Sequence, residues 1–233
     1  MTSEPKDSLA TDYATKRNDY FDCARSEMLA YVPAICRKVL DVGCGSGSFG
    51  AILRKRNGCE VWGVESNAGT ISSAEQNIDK VFHGYFGPEL HLPPDTFDCI
   101  IFNDVLEHMV NPASALNLAK SLLSRGGSVV ASIPNIGHFP TVWNLVVRGE
   151  WEYKEYGILD KTHLRFFTRQ SIARLFREAG FTIQQIDGIN PFYCLESNDP
   201  TLWRRYSFLS WLPISGVKDM RYQQFAIVAT LDK

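Results

Sequence analysis

Residues 39–50 read VLDVGCGSGSFG and are the most informative segment of the chain about its fold. A short apolar run ends in an acid, and glycines then recur at every second position before an amphipathic segment begins. This order predicts a buried strand that leads through a tight glycine turn into a helix. Glycine allows positive φ and lets a ligand approach without a Cβ atom in the way. Together with the N–H groups and partial positive charge of a helix start, the turn predicts a site for an extended, nucleotide-like ligand.

Apolar, strand-like runs alternate with amphipathic helical runs along most of the chain. Strands are predicted over 38–42, 60–65, 80–83, 97–102, 128–133, 181–186 and 224–231. Helices are predicted from about residue 18 to 33, after the glycine turn to residue 57, and over 69–79, 111–123 and 168–180. Such alternation is typical of an α/β fold with a doubly wound, mostly parallel sheet.

The domain organisation predicted from this pattern is a single domain. Residues 1–15 are expected to be a flexible tail, and residues 16–233 one domain without an internal linker. Two aromatic-rich segments, at about 135–167 and 188–219, interrupt the alternation and are predicted to cap the site. Ordinary core packing or a homodimer interface would explain the same aromatic residues.

Composition limits the classes of partner. The net charge is −2, so no global basic field for nucleic acid is expected. The sequence contains no run of 18 apolar residues, so no membrane span is expected. Residues 203–208 resemble an interfacial segment able to touch a membrane surface. The six cysteines have neither C-x-x-C nor zinc spacing and are interpreted as reduced core residues. A cytoplasmic protein is expected.

The glycine stretch also carries a family resemblance. Residues 39–47 resemble the first motif of class I S-adenosylmethionine-dependent methyltransferases, and Glu65, residues 98–103 and the triplet Leu106-Glu107-His108 extend the likeness. The resemblance covers roughly residues 20–231, and its nearest branch contains the ubiquinone-biosynthesis O-methyltransferases. Residues 157–167 resemble a block in methyltransferases associated with glycan pathways. The resemblance implies a seven-stranded Rossmann-like sheet whose last strand is antiparallel.

The cofactor that the resemblance implies is S-adenosyl-L-methionine, with S-adenosyl-L-homocysteine as product. Glu65, at a strand end, is expected to accept hydrogen bonds from the ribose hydroxyls. Asp41 is expected to hold the glycine turn or to reach the cofactor's amino group through water. The complete predicted set is Tyr20, Arg25, Asp41, Gly43, Cys44, Gly45, Gly47, Phe49, Glu65, Ser66, Tyr85, Asn103, Asp104 and Leu106.

Some assignments within that set leave alternatives open. Tyr85 occupies a region where many relatives place an acid for the adenine amine, so aromatic stacking would have to replace that contact. Asn103 and Asp104 end the central strand, near the expected methionine end of the cofactor. Arg25, with Tyr20, would meet the cofactor carboxylate or would belong to the surface of a lid helix.

The chemistry of methyl transfer to oxygen requires that the acceptor lose a proton, and histidine can take it near neutral pH. The predicted catalytic residues are His163, His108 and Asp160, with Asp160 orienting His163. Packing over the cofactor for His108, and a structural hydrogen-bond cluster for His163, are the alternatives. No carboxylate cluster for a divalent ion stands out, so a metal-independent reaction is expected, although Asp104 and Glu107 could contribute to such a cluster.

The predicted function is methyl transfer to a small molecule, at a hydroxyl or carboxyl oxygen, with a sugar-like, lipid-like or quinone-like acceptor. A non-catalytic adenosylmethionine-binding partner protein is an alternative. A second one is an NAD-dependent oxidoreductase, since Gly45, Gly47 and Gly50 also satisfy the bare dinucleotide fingerprint.

Overall fold

The computed structural model describes residues 25–191 and 215–231 of the chain. Within them lies a seven-stranded sheet of order β3-β2-β1-β4-β5-β7-β6. The strands are β1 Lys38–Val42, β2 Glu60–Glu65, β3 Lys80–His83, β4 Phe97–Asn103, β5 Leu123–Pro134, β6 Thr182–Pro191 and β7 Tyr222–Thr230. Strands β1 to β5 are parallel, whereas β7 runs antiparallel to both of its neighbours, β5 and β6. The predicted fold class is confirmed.

The helices begin and end at signals that the sequence shows. They are α1 Ser48–Asn57, α2 Ala68–Asn77, α3 Pro112–Leu122, α4 Phe139–Trp143, α5 Arg169–Glu178 and α6 Ser215–Asp219. The Asn67 side chain caps α2 by accepting from Gly69 N, and Thr168 and Ser171 form a reciprocal capping box on α5. Gly58 ends α1 in the left-handed conformation.

Two apolar layers cover the two faces of the sheet. Side chains alternate along a strand, so Leu40 of β1 joins the layer that contains Leu116 of α3 and Phe176 of α5. Its neighbour Val39 joins the opposite layer, with Leu53 of α1. The central strands are buried on both faces, which is why their sequence reads as continuous apolar runs.

Several predicted boundaries were wrong. The helix expected over 18–33 is, in its described part, a short 3-10 helix at Ser26–Tyr31. Strand β5 begins at Leu123, so Gly126 and Gly127 lie inside a strand and do not mark its start, and β6 extends to Pro191. A register irregularity between Phe97 and Cys99 accommodates the early part of β5.

The segment 135–167 lies between β5 and α5, and its two ends are paired with each other. A bridge between Asn135 and Phe167 joins its two ends, and α4 continues as a π-helical turn at Asn144–Arg148. Of the second segment, α6 is described. The tail 1–15, Tyr20 and the aromatic residues of 203–208 lie outside the described residues. No helix of the described residues has the length and apolar character needed to cross a membrane.

Candidate functional site

The glycine turn after β1 has the backbone that the sequence predicts. Gly43, Gly45 and Gly47 have φ of 71°, 54° and 80°, a region that side chains with a Cβ atom rarely occupy. Gly43 N donates to Val64 O at 2.7 Å, and Gly47 N donates to Cys44 O at 2.8 Å. The turn is therefore tied to the end of β2 before it enters α1.

The Glu65 side chain is hydrogen-bonded to this turn. Its side chain is buried, and its two carboxylate oxygens accept hydrogen bonds from Gly45 N at 2.8 Å and Asn67 N at 2.7 Å. A carboxylate offers about four acceptor positions, so two such bonds leave capacity for a ligand hydroxyl. Glu65 thus shapes the glycine turn directly, a role that the sequence reading did not assign to it.

Two further groups of the predicted set lie beneath the turn. Asp41 is 2% exposed, and burial together with the nearby Glu65 carboxylate raises its pKa to about 7. Burial likewise raises the pKa of the Cys44 thiol. Both groups therefore favour their neutral forms, because the charged forms would lose their hydration.

Close packing holds the turn in place. A Cβ atom on Gly63 of β2 would lie 2.5 Å from Cys44 Sγ and 2.6 Å from Ile78 Cδ1, so only glycine fits there. A Cβ atom on Gly43 would lie 2.6 Å from Val105 Cγ2. Gly63 was missed by sequence reasoning, since nothing in the local pattern shows that distant side chains fill the space above it.

The end of β4 carries an amide with unused hydrogen-bonding capacity. Both side-chain atoms of Asn103, Nδ2 and Oδ1, are buried, and within the described part of the chain no group hydrogen-bonds to them. Buried amides are nearly always satisfied, and open α/β sheets bind their ligands at strand ends, so Asn103 is a candidate contact for a ligand.

Asp104, the next residue, forms the centre of a polar network. It adopts φ of 54°, and its carboxylate accepts from Ser132 Oγ at 3.1 Å and Gln224 Nε2 at 2.9 Å. Arg25 Nη1 forms an ion pair with the same carboxylate. The Arg25 guanidinium also contacts Glu27 Oε1 at 2.8 Å and Gln224 Oε1 at 3.0 Å. Arg25 and Asp104, both predicted near the methionine end of the cofactor, thus contact each other.

The other predicted cofactor contacts differ in their exposure. Phe49 of α1 and Leu106 are buried, whereas Tyr85, just beyond β3, is 70% exposed. Ser66 O lies 3.3 Å from His83 Nε2. Tyr85 is thus exposed, just beyond the end of β3 where the adenine was expected.

The predicted catalytic histidines meet at the end of β4. The His108 and His163 rings are 4.7 Å apart in an edge-to-face arrangement, although 55 residues of chain separate them. His163 Nε2 lies 4.0 Å from Glu107 Oε1, and both side chains are buried. The main chain fastens this contact, because Leu164 N and Arg165 N donate to Glu107 O at 2.9 and 3.0 Å.

The Asp160 side chain is hydrogen-bonded to Thr162. Its Oδ1 accepts from Thr162 N at 2.8 Å and from Thr162 Oγ1 at 2.7 Å. Thr162 Oγ1 in turn lies 3.1 Å from His108 Nδ1. The described side-chain bonds therefore connect Asp160 through Thr162 to His108, whereas His163 Nδ1 lies 3.0 Å from Ile158 O.

The same corner brings cation-binding atoms together. Glu107, His108 and His163 each offer one atom, and these atoms lie within 4.8 Å of one another. Sequence reasoning did not find this grouping, since His163 belongs to the 135–167 segment and only the fold brings it to β4.

The fold is that of known methyltransferases. A SAM-dependent methyltransferase from Archaeoglobus fulgidus superposes with a TM-score of 0.64 at 20% identity, over 97% of this chain and 99% of that one. An S-adenosylmethionine-dependent methyltransferase from Mesorhizobium loti gives a TM-score of 0.60 at 19% identity, over 92% and 100% of the two chains. The chain therefore shares the Rossmann-like fold of these two methyltransferases.

The sequence places the chain within a family. The profile of the methyltransferase-domain family matches residues 9–186, and the chain belongs to that family. Among curated relatives, a ubiquinone biosynthesis O-methyltransferase of Aeromonas salmonicida (strain A449) is 26% identical over 161 residues. That alignment spans 66% of this chain and 66% of the relative, just under two thirds of its length.

S-adenosylmethionine is the cofactor that this family and fold imply, and the residues present fit it. The buried amide of Asn103 needs polar partners, the glycine turn presents its backbone without Cβ atoms, and Glu65 has acceptor capacity left. Each of these groups lies at the carboxyl end of a parallel strand, where open α/β sheets bind their ligands.

Proposed function

We propose that this protein transfers a methyl group from S-adenosylmethionine to an oxygen atom of a small-molecule acceptor. One observation supports the proposal. The glycine turn, Glu65, Asn103 and the pair His108–His163 all lie at the edge of the sheet that is formed by the carboxyl ends of its parallel strands. The named activity of the Aeromonas relative, an O-methyltransferase, supports an oxygen acceptor.

The cofactor would be held by residues at three strand ends. Glu65 would bind the ribose, Asn103 the methionine end, and the Gly43–Gly47 turn would approach the nucleoside closely. When bound, the cofactor supplies an electrophilic methyl carbon attached to a sulfonium. The protein supplies alignment and exclusion of water. Arg25 is a second candidate for the methionine carboxylate, and its present bonds to Asp104 and Glu27 would have to be exchanged for that contact.

The acceptor must lose its hydroxyl proton as its oxygen becomes methylated. We propose that the imidazole of His108 receives that proton, while His163 and Glu107 form the wall behind it. His108 follows β4 after a single 3-10 turn at Leu106–His108, so its ring lies beside the strand end that carries Asn103. A quinone-like or sugar-like hydroxyl is the acceptor class that this chemistry suits, since either needs help to lose its proton near neutral pH.

Calorimetric titration with S-adenosylmethionine tests the cofactor site. Gly45→Arg places a long side chain in the turn and is expected to weaken binding at least about 100-fold. Gly58→Arg is the matched control, because Gly58 also has positive φ but lies at the far end of α1 with nothing within 4 Å of its Cβ position. Unchanged affinity in Gly45→Arg would refute the assignment, and tighter binding of NAD than of S-adenosylmethionine would favour the oxidoreductase.

Mass spectrometry tests the transfer itself. S-adenosylhomocysteine and an acceptor heavier by one methylene should form when the protein meets pools of hydroxylated sugars, lipids and quinols. His108→Ala is expected to lower the rate about 100-fold or more, the range typical of general-base catalysis, without changing the cofactor affinity. Cofactor binding without product across all pools would favour a non-catalytic partner protein.

A further inference from the structure

A buried side-chain pair contacts His108 at Nδ1. Asp160 and Thr162 are 1% and 4% exposed, and they are joined by two hydrogen bonds of 2.7 and 2.8 Å. The turn that contains them is fixed by its main chain, since Asp160 N donates to Gly157 O and His163 N donates to Asp160 O. The pair is therefore a rigid support on the far side of the imidazole.

The hydrogens in this pair can be assigned from its partners. His108 Nδ1 lies 3.1 Å from the Thr162 carbonyl oxygen, which can only accept, so Nδ1 carries a proton. The single Thr162 hydroxyl proton goes to the Asp160 carboxylate, so Oγ1 also accepts from His108 Nδ1. A neutral imidazole carries one proton, and with that proton on Nδ1 the lone pair is on Nε2.

We infer that Thr162, held by Asp160, is a positioning residue that keeps His108 in the Nδ1–H tautomer, so that Nε2 is the nitrogen able to accept a proton. The inference deepens the proposed function and rests on it for the catalytic meaning of His108. The acceptor's O–H bond would break with its proton moving to Nε2, and the imidazolium formed would donate from Nδ1 to Thr162. Asp160 would stabilise that charge through the hydroxyl.

His163 is held differently. Its Nδ1 is bonded to a main-chain oxygen, that of Ile158, and its Nε2 lies near Glu107. The Nδ1 contact of His163 thus leads to the main chain, whereas Nδ1 of His108 also contacts the Thr162 hydroxyl. The geometry therefore assigns the Asp160–Thr162 pair to His108, whereas the order of residues in the sequence suggested His163 as the partner of Asp160.

Nitrogen NMR of the full chain labelled with ¹⁵N-histidine tests the inference without cofactor or acceptor. The chain has five histidines, and His108→Asn identifies the His108 signals by their loss. In the native protein above neutral pH, His108 should show a protonated Nδ1 and an unprotonated Nε2. Thr162→Val keeps the side-chain shape and should lower the ratio of the Nδ1–H to the Nε2–H form about tenfold, as loss of one ordinary hydrogen bond predicts.

Two variants separate positioning from folding. Thr162→Ser keeps the hydroxyl and should restore the native tautomer ratio. Thr96→Val is the matched control, because the Thr96 hydroxyl donates to Pro94 O far from this corner, and it should leave the His108 signals unchanged. If Thr162→Val does not fold, Asp160→Asn provides a second perturbation and should move the ratio in the same direction.

Several results would overturn the inference. They are an Nε2–H tautomer in the native protein, an unchanged ratio in Thr162→Val, or failure of Thr162→Ser to restore it. Stoichiometric zinc in the purified protein with metal-shifted His108 Nε2 would also overturn it, since the nitrogen would then be a ligand and not a proton acceptor. Failure of methyl transfer alone would refute the proposed function but would leave the tautomer result standing.

Discussion

The contact between Gly43 and Val105 connects the glycine turn to the histidine corner, and it yields a quantitative prediction. Gly43→Ala would place a methyl group 2.6 Å from Val105 Cγ2, in a residue held at φ of 71°. The left-handed backbone costs alanine about 1–2 kcal/mol, and overpacking adds about 1–3 kcal/mol. We expect the free energy of unfolding to fall by roughly 2–5 kcal/mol.

A double-mutant cycle separates the two contributions. Val105→Ala alone should cost about 1 kcal/mol, because Val105 is only partly buried and a fully buried valine would cost more. In the double variant the clash is removed while the backbone strain stays. The two changes should therefore be non-additive, with a coupling energy of about −1 to −3 kcal/mol.

Urea denaturation followed by circular dichroism measures all four proteins of the cycle. Gly126→Ala is a control for backbone strain alone, since Gly126 has φ of 77° and nothing within 4 Å of its Cβ position. If the two free-energy changes add within about 0.5 kcal/mol, Val105 does not fill the space above Gly43 and the predicted clash is wrong.

Three further predictions concern groups near the site. The folded-state pKa of Asp41, about 7, lies above its unfolded value, so the folded protein keeps a proton that the unfolded chain has lost, and stability should fall as pH rises from about 4 to 7. Asp41→Asn should flatten that slope in urea unfolding at pH 5 and pH 8; an unchanged slope would contradict the assignment. Arg25→Met should lower the free energy of unfolding by about 2 kcal/mol, because charge-assisted bonds to Asp104 are lost, whereas exposed Arg37→Met should have little effect. Thr168→Ala should cost about 1 kcal/mol through the α5 cap, measured against Thr96→Ala, and equal values for the two would argue against the cap.

The parts of the fold that local pattern determines were predicted closely. Strands β1 and β3 have the predicted bounds, because each is an apolar run between clear turn signals. Strand β5 was misjudged because Gly126 and Gly127 indicate a helix end, whereas Leu123 already pairs with Phe97 of β4 and the strand continues through both glycines. Sheet pairing of this kind depends on neighbours that a local pattern does not show.

In the candidate site, too, features set by a local pattern were predicted, whereas contacts between distant residues were not. The glycine turn was predicted because its spacing is local to one strand–turn–helix unit, and Glu65 because it ends the next strand. Thr162 was missed, since its partner His108 lies 54 residues earlier and a threonine gives no distinctive signal. Asp160 was paired with its sequence neighbour His163, although the hydrogen bonds that the fold creates lead to Thr162.

The position of β7 has a consequence for how the chain acquires its fold during synthesis. This strand emerges after β6, yet it lies between β5 and β6 in the sheet. Until β7 has been made, β5 has an unpaired edge, and β6 lacks the strand that it pairs with in the finished sheet. Nascent chains should therefore expose a β-edge until β7 has emerged, and such an edge is open to pairing with other chains.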